Sequence, residues 1–215
     1  MRATIENSLP PTCEVTIPTA GDNVGAVLGN RWMQHAESSL PAAVVIPSTE
    51  EDVVSVVQYA AKNGLKVIPS GGGCAGFLVV DSKSIYLNLH KLNSVDVDEE
   101  KETVTVGGGT IWGDVIPVIS LLGYYTSEYL RIPITGWNEI LTKEAWANFS
   151  CVGVVGSLLG GGMSPFVGID GYACDQVTSV RIVTSSGDIK TLSNTSRGRE
   201  KNCSTCSVVE SVWES

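Results

Sequence analysis

The sequence predicts a mixed fold of α-helices and β-strands, on three observations. A strand–helix–strand unit at residues 42–70 runs into consecutive glycines. From Ser84 onward the hydrophobic pattern changes to the period-two alternation of half-buried strands. The chain of 215 residues, with 43% hydrophobic and 17% charged side chains, is long and apolar enough to bury a core.

Residues 1–30 are polar, contain Pro10, Pro11 and Pro18, and read as loop. AAVVIP is a short apolar strand stopped by Pro47. Ser48-Thr49-Glu50-Glu51 is a helix start, with a capping hydroxyl and acids in the first turn. Val53, Val56, Val57 and Ala60 then recur at helical spacing, and Asn63-Gly64 ends the helix. LKVIPS is a second strand. After the glycines, FLVVD reads as β-like. SIYLNLHKL alternates Ile85, Leu87 and Leu89 with polar residues. SVDVDEEKETVTVGGG predicts a hairpin turning at Glu99-Glu100-Lys101, and IWGDVIPVISLLG predicts a helix from Ile111 that stops at Gly123. VTSVRIVTS and DIKTLS read as strands joined at Ser186-Gly187. The last 20 residues show no core pattern.

Charge and cysteine usage narrow the function. The formal net charge of −9 disfavours a nucleic-acid partner, whose backbone an acidic chain repels. The six cysteines are irregularly spaced in a chain too long to need a disulfide framework. Cys203 and Cys206 form one CxxC, and with two histidines, His35 and His90, no four-ligand zinc site is expected, so the metal expectation is none. The N-terminus has no apolar run of signal-peptide length, and no stretch approaches a membrane span. A cytoplasmic location follows as the expectation, with the sequons at Asn148, Asn194 and Asn202 read as chance.

Two glycine runs carry the chemistry. Gly71, Gly73 and Gly76 fit G-x-G-x-x-G after a strand, but the motif of a dinucleotide fold needs a helix next, and the following segment is β-like. The dinucleotide-fold reading is therefore rejected. Consecutive glycines still let backbone N–H groups converge on one concavity and approach a phosphate closely. A second run, Gly160-Gly161-Gly162, lies far along the chain. Two such loops suit a diphosphate held from both sides. The competing reading makes each a tight turn.

Taken together, PAAVVIPSTEEDVVSVVQYAAKNGLKVIPSGGG, IYLNLHKLNSVDVDEEKETVTVGGGTIWGDV and VGVVGSLLGGGMSPFVGIDGYACDQVTSVRIVTSSGDI resemble the FAD-binding domain of the vanillyl-alcohol oxidase and berberine-bridge-enzyme superfamily, the para-cresol methylhydroxylase (PCMH) type. The most specific stretch is VGxxGxxxGGG followed by Gly171 and Asp175, which looks like fungal members of secondary-metabolite pathways. The resemblance implies an α+β fold of two subdomains, a small parallel sheet with helices and a larger, mainly antiparallel sheet, with FAD extended between them. It implies that Ser70, Gly71, Gly72, Gly73, Cys74 and Ala75 cradle the pyrophosphate. Gly153, Ser157, Gly160 and Gly161 would flank pyrophosphate and isoalloxazine, and backbone near Ile182 would meet the adenine. Asp175 would brace the loop, and Trp112 and Trp32 would be core anchors. The implied reaction is hydride transfer from a small organic substrate to flavin with oxygen as acceptor. The alternative is a truncated, non-catalytic flavin-binding domain.

The expected domains are an N-terminal extension at 1–31, the FAD-binding domain at 32–196 with an insertion at about 127–146, and an irregular tail at 197–215. The sequence departs from the family in three places. Cys74 stands where the family commonly has a flavin-linked histidine. Residues 127–146 interrupt a connector that is normally short. The substrate domain does not follow the last matching strand, so no catalytic residue is named. Non-covalent FAD is expected over a thioether to Cys74, and the oligomeric state is left open.

Overall fold

The computed structural model describes residues 5–29, 31–32, 37–101, 103–123, 150–162, 168, 172–193 and the backbone of 207–214. The expected insertion at 127–146, the sequons, the CxxC pair and His35 lie outside the described residues.

The first half of the chain builds a four-stranded sheet. Its strands are β1 (Glu14–Thr16), β2 (Ala43–Ile46), β3 (Lys66–Ser70) and β4 (Ser84–Asn88), in the order β1-β2-β4-β3. β4 is parallel to both neighbours, whereas β1 is antiparallel to β2. The expected alternation of β4 gives way to burial of Ser84, Ile85, Tyr86 and Leu87 in succession. The central strand of a sheet covered on both faces has no solvent side.

The N-terminal residues are more structured than their prolines suggested. Besides supplying β1, they bury Ile5, Leu9 and Leu28, the last closing helix α1 (Val24–Leu28). Helix α2 (Glu50–Asn63) begins at the expected cap. The Thr49 hydroxyl accepts from the Asp52 amide at 3.2 Å, and the Asp52 carboxylate accepts from the Thr49 amide at 3.0 Å. Gly64, left-handed at φ 64°, ends it. Val53, Val56, Val57 and Ala60 face the sheet and pack with Val45, Ile85 and Leu87.

The second sheet is antiparallel throughout, with strands β5 (Val95–Asp98), β6 (Thr103–Gly107), β7 (Val177–Val183), β8 (Ile189–Ser193) and β9 (Ser207–Glu214) in the order β5-β6-β9-β7-β8. Helices α3 (Trp112–Leu121) and α4 (Val154–Leu159) cover it, and Trp112, Val115, Ile119, Val154 and Leu158 close the second core over Val104 and Val106. The observed architecture is α+β with a small, mostly parallel sheet and a larger antiparallel one.

Three expectations are corrected. Residues 207–214 are not irregular but form β9, the middle strand of the second sheet. FLVVD is not a strand. The Arg31 guanidinium takes the Ala75 and Leu78 carbonyls at 2.7 and 2.5 Å, and Val80 is bonded to Ser38 and Ser39, so these backbone groups are diverted from any ladder. Trp112 is a core anchor, but Trp32 is 71% exposed, and its backbone N–H donates to the Gly73 carbonyl.

Candidate functional site

A cleft of about 540 Å³ opens where the two halves meet. Its floor is Ser70, at the end of β3, and Tyr86, on β4. The Tyr86 hydroxyl donates to the Ser70 hydroxyl at 2.8 Å, and burial pushes the phenol above its ordinary pKa. One wall is the loop of Gly71, Gly72, Gly73, Cys74 and Ala75. The other is Val152, Gly153 and helix α4, where Val155, Gly156, Ser157, Leu159 and Gly160 face the space. Arg31, 8% exposed, is the one cation of the lining, which contains no carboxylate among the described residues.

The two walls meet backbone to backbone. A Cβ on Gly72 would fall 2.2 Å from the Gly153 nitrogen and 2.4 Å from the Cys151 carbonyl oxygen. One on Gly153 would fall 2.7 Å from the Gly72 nitrogen. Glycine is needed at both positions by the closeness of the approach. A third glycine run, 107–109, supports the first from beneath: a Cβ on Gly71 would lie 3.2 Å from the Gly108 carbonyl oxygen.

The two loops singled out in the sequence use their amides differently. Among the described residues, the N–H groups of Gly71, Gly72, Gly73, Cys74 and Ala75 find no acceptor, and neither do those of Val155 and Gly156 on the facing wall. Polar donors gathered in one concavity without partners need an acceptor from outside the chain or from water. The Gly160, Gly161 and Gly162 amides instead return to the carbonyls of α4, with Gly160 reaching Gly156 and Ser157, Gly161 reaching Leu158 and Gly162 reaching Ser157. Gly161 at φ 104° and Gly162 at φ 63° make this run the helix terminus.

Of the residues expected at the site, Ser70, Gly71, Gly72, Gly73, Cys74, Ala75, Gly153, Ser157 and Gly160 line the cleft, and Gly161 and Ile182 do not. Ile182 is buried in β7 against Val155. The Ser157 hydroxyl is occupied, accepting from the Trp112 indole at 3.0 Å and donating to the Val154 carbonyl at 2.8 Å, which fixes α4 against α3. Asp175 is exposed on the short 3₁₀ turn at Ala173–Gln176. Cys74 is exposed, with its thiol 3.5 Å from the Gly72 carbonyl oxygen. Partial burial, then the neighbouring Cys151, raise its pKa above the ordinary thiol value. Arg31 and Tyr86 were not singled out from sequence. Both act on the loop from a distance along the chain, and no local pattern marks them.

Among the described residues the donor set suits an elongated anion bearing phosphates: a row of free amides, one buried guanidinium and no carboxylate in the lining. Residues 41–136 match the FAD binding domain family. FAD-linked oxidoreductase srdI of Neurospora crassa is 32% identical over 200 residues, which cover 91% of this chain and 36% of that protein. In fold, the chain is similar to 6-hydroxy-D-nicotine oxidase of Arthrobacter nicotinovorans, with TM-score 0.71 at 23% identity, covering 94% of this chain and 41% of that one. BBE-like 1 of Physcomitrella patens gives TM-score 0.70 at 19% identity, covering 99% and 43%. The chain thus spans a little over a third of the length of the curated relative it matches. Its fold is the PCMH type, and the chain belongs to the FAD-linked oxidoreductases, with FAD as cofactor.

Proposed function

We propose that this chain forms the FAD-holding part of an oxidoreductase that removes a hydride from a small organic substrate and passes the electrons to oxygen, in secondary metabolism and in the cytoplasm. The observation that carries the reading is the row of free amides at residues 71–75, facing those of Val155 and Gly156 across a cleft with one buried cation.

Gly71, Gly72, Gly73, Cys74 and Ala75 direct their amides at the pyrophosphate, and Arg31 neutralises part of its charge. Arg31 also holds the far end of the loop through the Ala75 and Leu78 carbonyls. Ser70 and Tyr86 brace the loop from below through their mutual hydrogen bond. Gly153 and Gly160 bound the opposite wall, and Ser157 keeps α4 in place rather than donating to the ligand. Gly161 shapes the end of the same helix. The backbone of Ile182 stays the proposed contact of the adenine end. When bound, FAD supplies a two-electron acceptor. The exposed apolar side chains of Phe77 and Leu159 at the cleft offer a dry surface to a small organic molecule.

The test is anaerobic mixing of the flavin-loaded protein with alcohols and amines, followed by admission of oxygen. Bleaching by one of them, with peroxide on reoxidation, supports the oxidase reading. Flavin that binds but stays oxidised with every compound favours a binding domain without turnover.

A further inference from the structure

Cys74 and Cys151 belong to different loops, yet the fold brings them together at the rim of the cleft. The loops touch where a Cβ on Gly72 would meet the Cys151 carbonyl oxygen at 2.4 Å, and the Cys74 thiol sits 3.5 Å from the carbonyl oxygen of the same Gly72. Cys151 is also the neighbour that, after burial, raises the pKa of the Cys74 thiol. Both cysteines are free and exposed, so a small oxidant reaches them. We propose that Cys74 and Cys151 form a reversible disulfide that ties the two walls of the cleft to each other.

The oxidant is a low-molecular-weight disulfide. The Cys151 sulfur, having lost its proton to solvent, attacks one sulfur of the oxidant. The S–S bond breaks, one small thiol leaves, and Cys151 carries a mixed disulfide. The Cys74 sulfur, giving up its own proton, attacks the protein sulfur of that mixed disulfide and expels the second small thiol. Two protein thiols are oxidised and the small disulfide is reduced to two thiols. A dithiol reductant reverses both steps. The cross-link needs no flavin to form, and it joins residues 77 positions apart, from 74 to 151, whose segments already touch. It adds loop-closure constraint to the unfolded chain with little movement of the folded one. In a reducing compartment the pair stays open until an oxidative challenge.

The experiment treats the fully reduced protein with oxidised glutathione, blocks the remaining thiols and maps unreduced peptides by mass spectrometry. The expected result is a peptide pair joined through Cys74 and Cys151 and the loss of two of the six titratable thiols, both reversed by dithiothreitol. Cys13→Ser should retain the joined pair, and Cys151→Ser should lose it. Wild-type protein in which both thiols stay alkylatable overturns the proposal. So does glutathione that remains on Cys74 and Cys151 separately, pairing of either with another cysteine, or flavin attached to either sulfur. The wild-type map alone decides the matter if a variant does not fold.

Discussion

Gly72 and Gly153 are in backbone contact across the cleft, so close that a Cβ on Gly72 would sit 2.2 Å from the Gly153 nitrogen. The obstacle is backbone on both sides, with no flexible side chain to swing away. Gly72→Ala is therefore expected to push the walls apart, at a cost of about 3 kcal/mol or more in stability. The measurements are urea unfolding and flavin retention. A variant with unchanged midpoint and unchanged retention would show that the walls are not held at this distance.

Arg31 is expected to discriminate among flavins by their phosphates. Arg31→Met should weaken FAD binding by roughly 10- to 100-fold, the range for loss of a charge-assisted contact. Riboflavin, which has no phosphate, should bind the variant nearly as it binds the wild type. Equal losses for FAD and riboflavin would assign Arg31 only to the shape of the 75–78 loop, through its bonds to the Ala75 and Leu78 carbonyls.

Much of this was legible in the sequence. The 3.6-residue spacing of Val53, Val56, Val57 and Ala60, with Thr49 before it and Gly64 after, specified α2 at both ends. The first glycine run followed a strand, and it lines the cleft. The second run was read by analogy with the first. VVGSLL is too short to display helical periodicity, so its role as a helix that consumes the Gly160, Gly161 and Gly162 amides was hidden. Arg31 reaches its carbonyls across 44 and 47 residues, a relation no local pattern encodes. β9 was missed because SVVESVWE does not alternate cleanly, and its place is set by pairing with β6 and β7.

The two halves are also joined by Arg181 on β7, whose Nε and Nη2 donate to the two oxygens of Glu50 at 2.5 and 2.7 Å, in the first turn of α2. Two bonds in parallel give the pair a fixed geometry, but Arg181 is 41% exposed and water screens it. A double-mutant cycle with Arg181→Met and Glu50→Gln should return a coupling of about 0.5–1 kcal/mol that shrinks with added salt. A coupling near zero at low salt would mean this ion pair does not help to hold the halves together.

Cys13 gives a pH dependence. Burial, and then the neighbouring Asp52 charge and its hydrogen bond, push this thiol up to about 11 from an ordinary 9.0. The folded state therefore prefers the protonated thiol. Its contribution is complete below the ordinary value and is lost as pH rises through 11. Thermal midpoints should fall across that window, and Cys13→Ala should flatten the fall. An unchanged slope in the variant would place the titrating group elsewhere.

Cys74 is expected to leave the flavin unattached. Partial burial and the nearby Cys151 keep its thiol protonated at neutral pH, and the thiolate is the nucleophile a thioether needs. Acid precipitation of the flavin-loaded protein should leave the yellow colour in the supernatant. Colour held in the pellet, and released in Cys74→Ala, would establish the thioether instead.

The free amides of residues 71–75 and the buried guanidinium of Arg31 are expected to hold a flavin dinucleotide. Calorimetric titration of the purified protein, freed of ligand, with FAD, FMN, riboflavin and NAD tests it most directly. The expected result is one FAD per chain, with affinity falling from FAD to FMN to riboflavin and no uptake of NAD. Binding of FAD no tighter than of riboflavin, or preference for NAD, would contradict it.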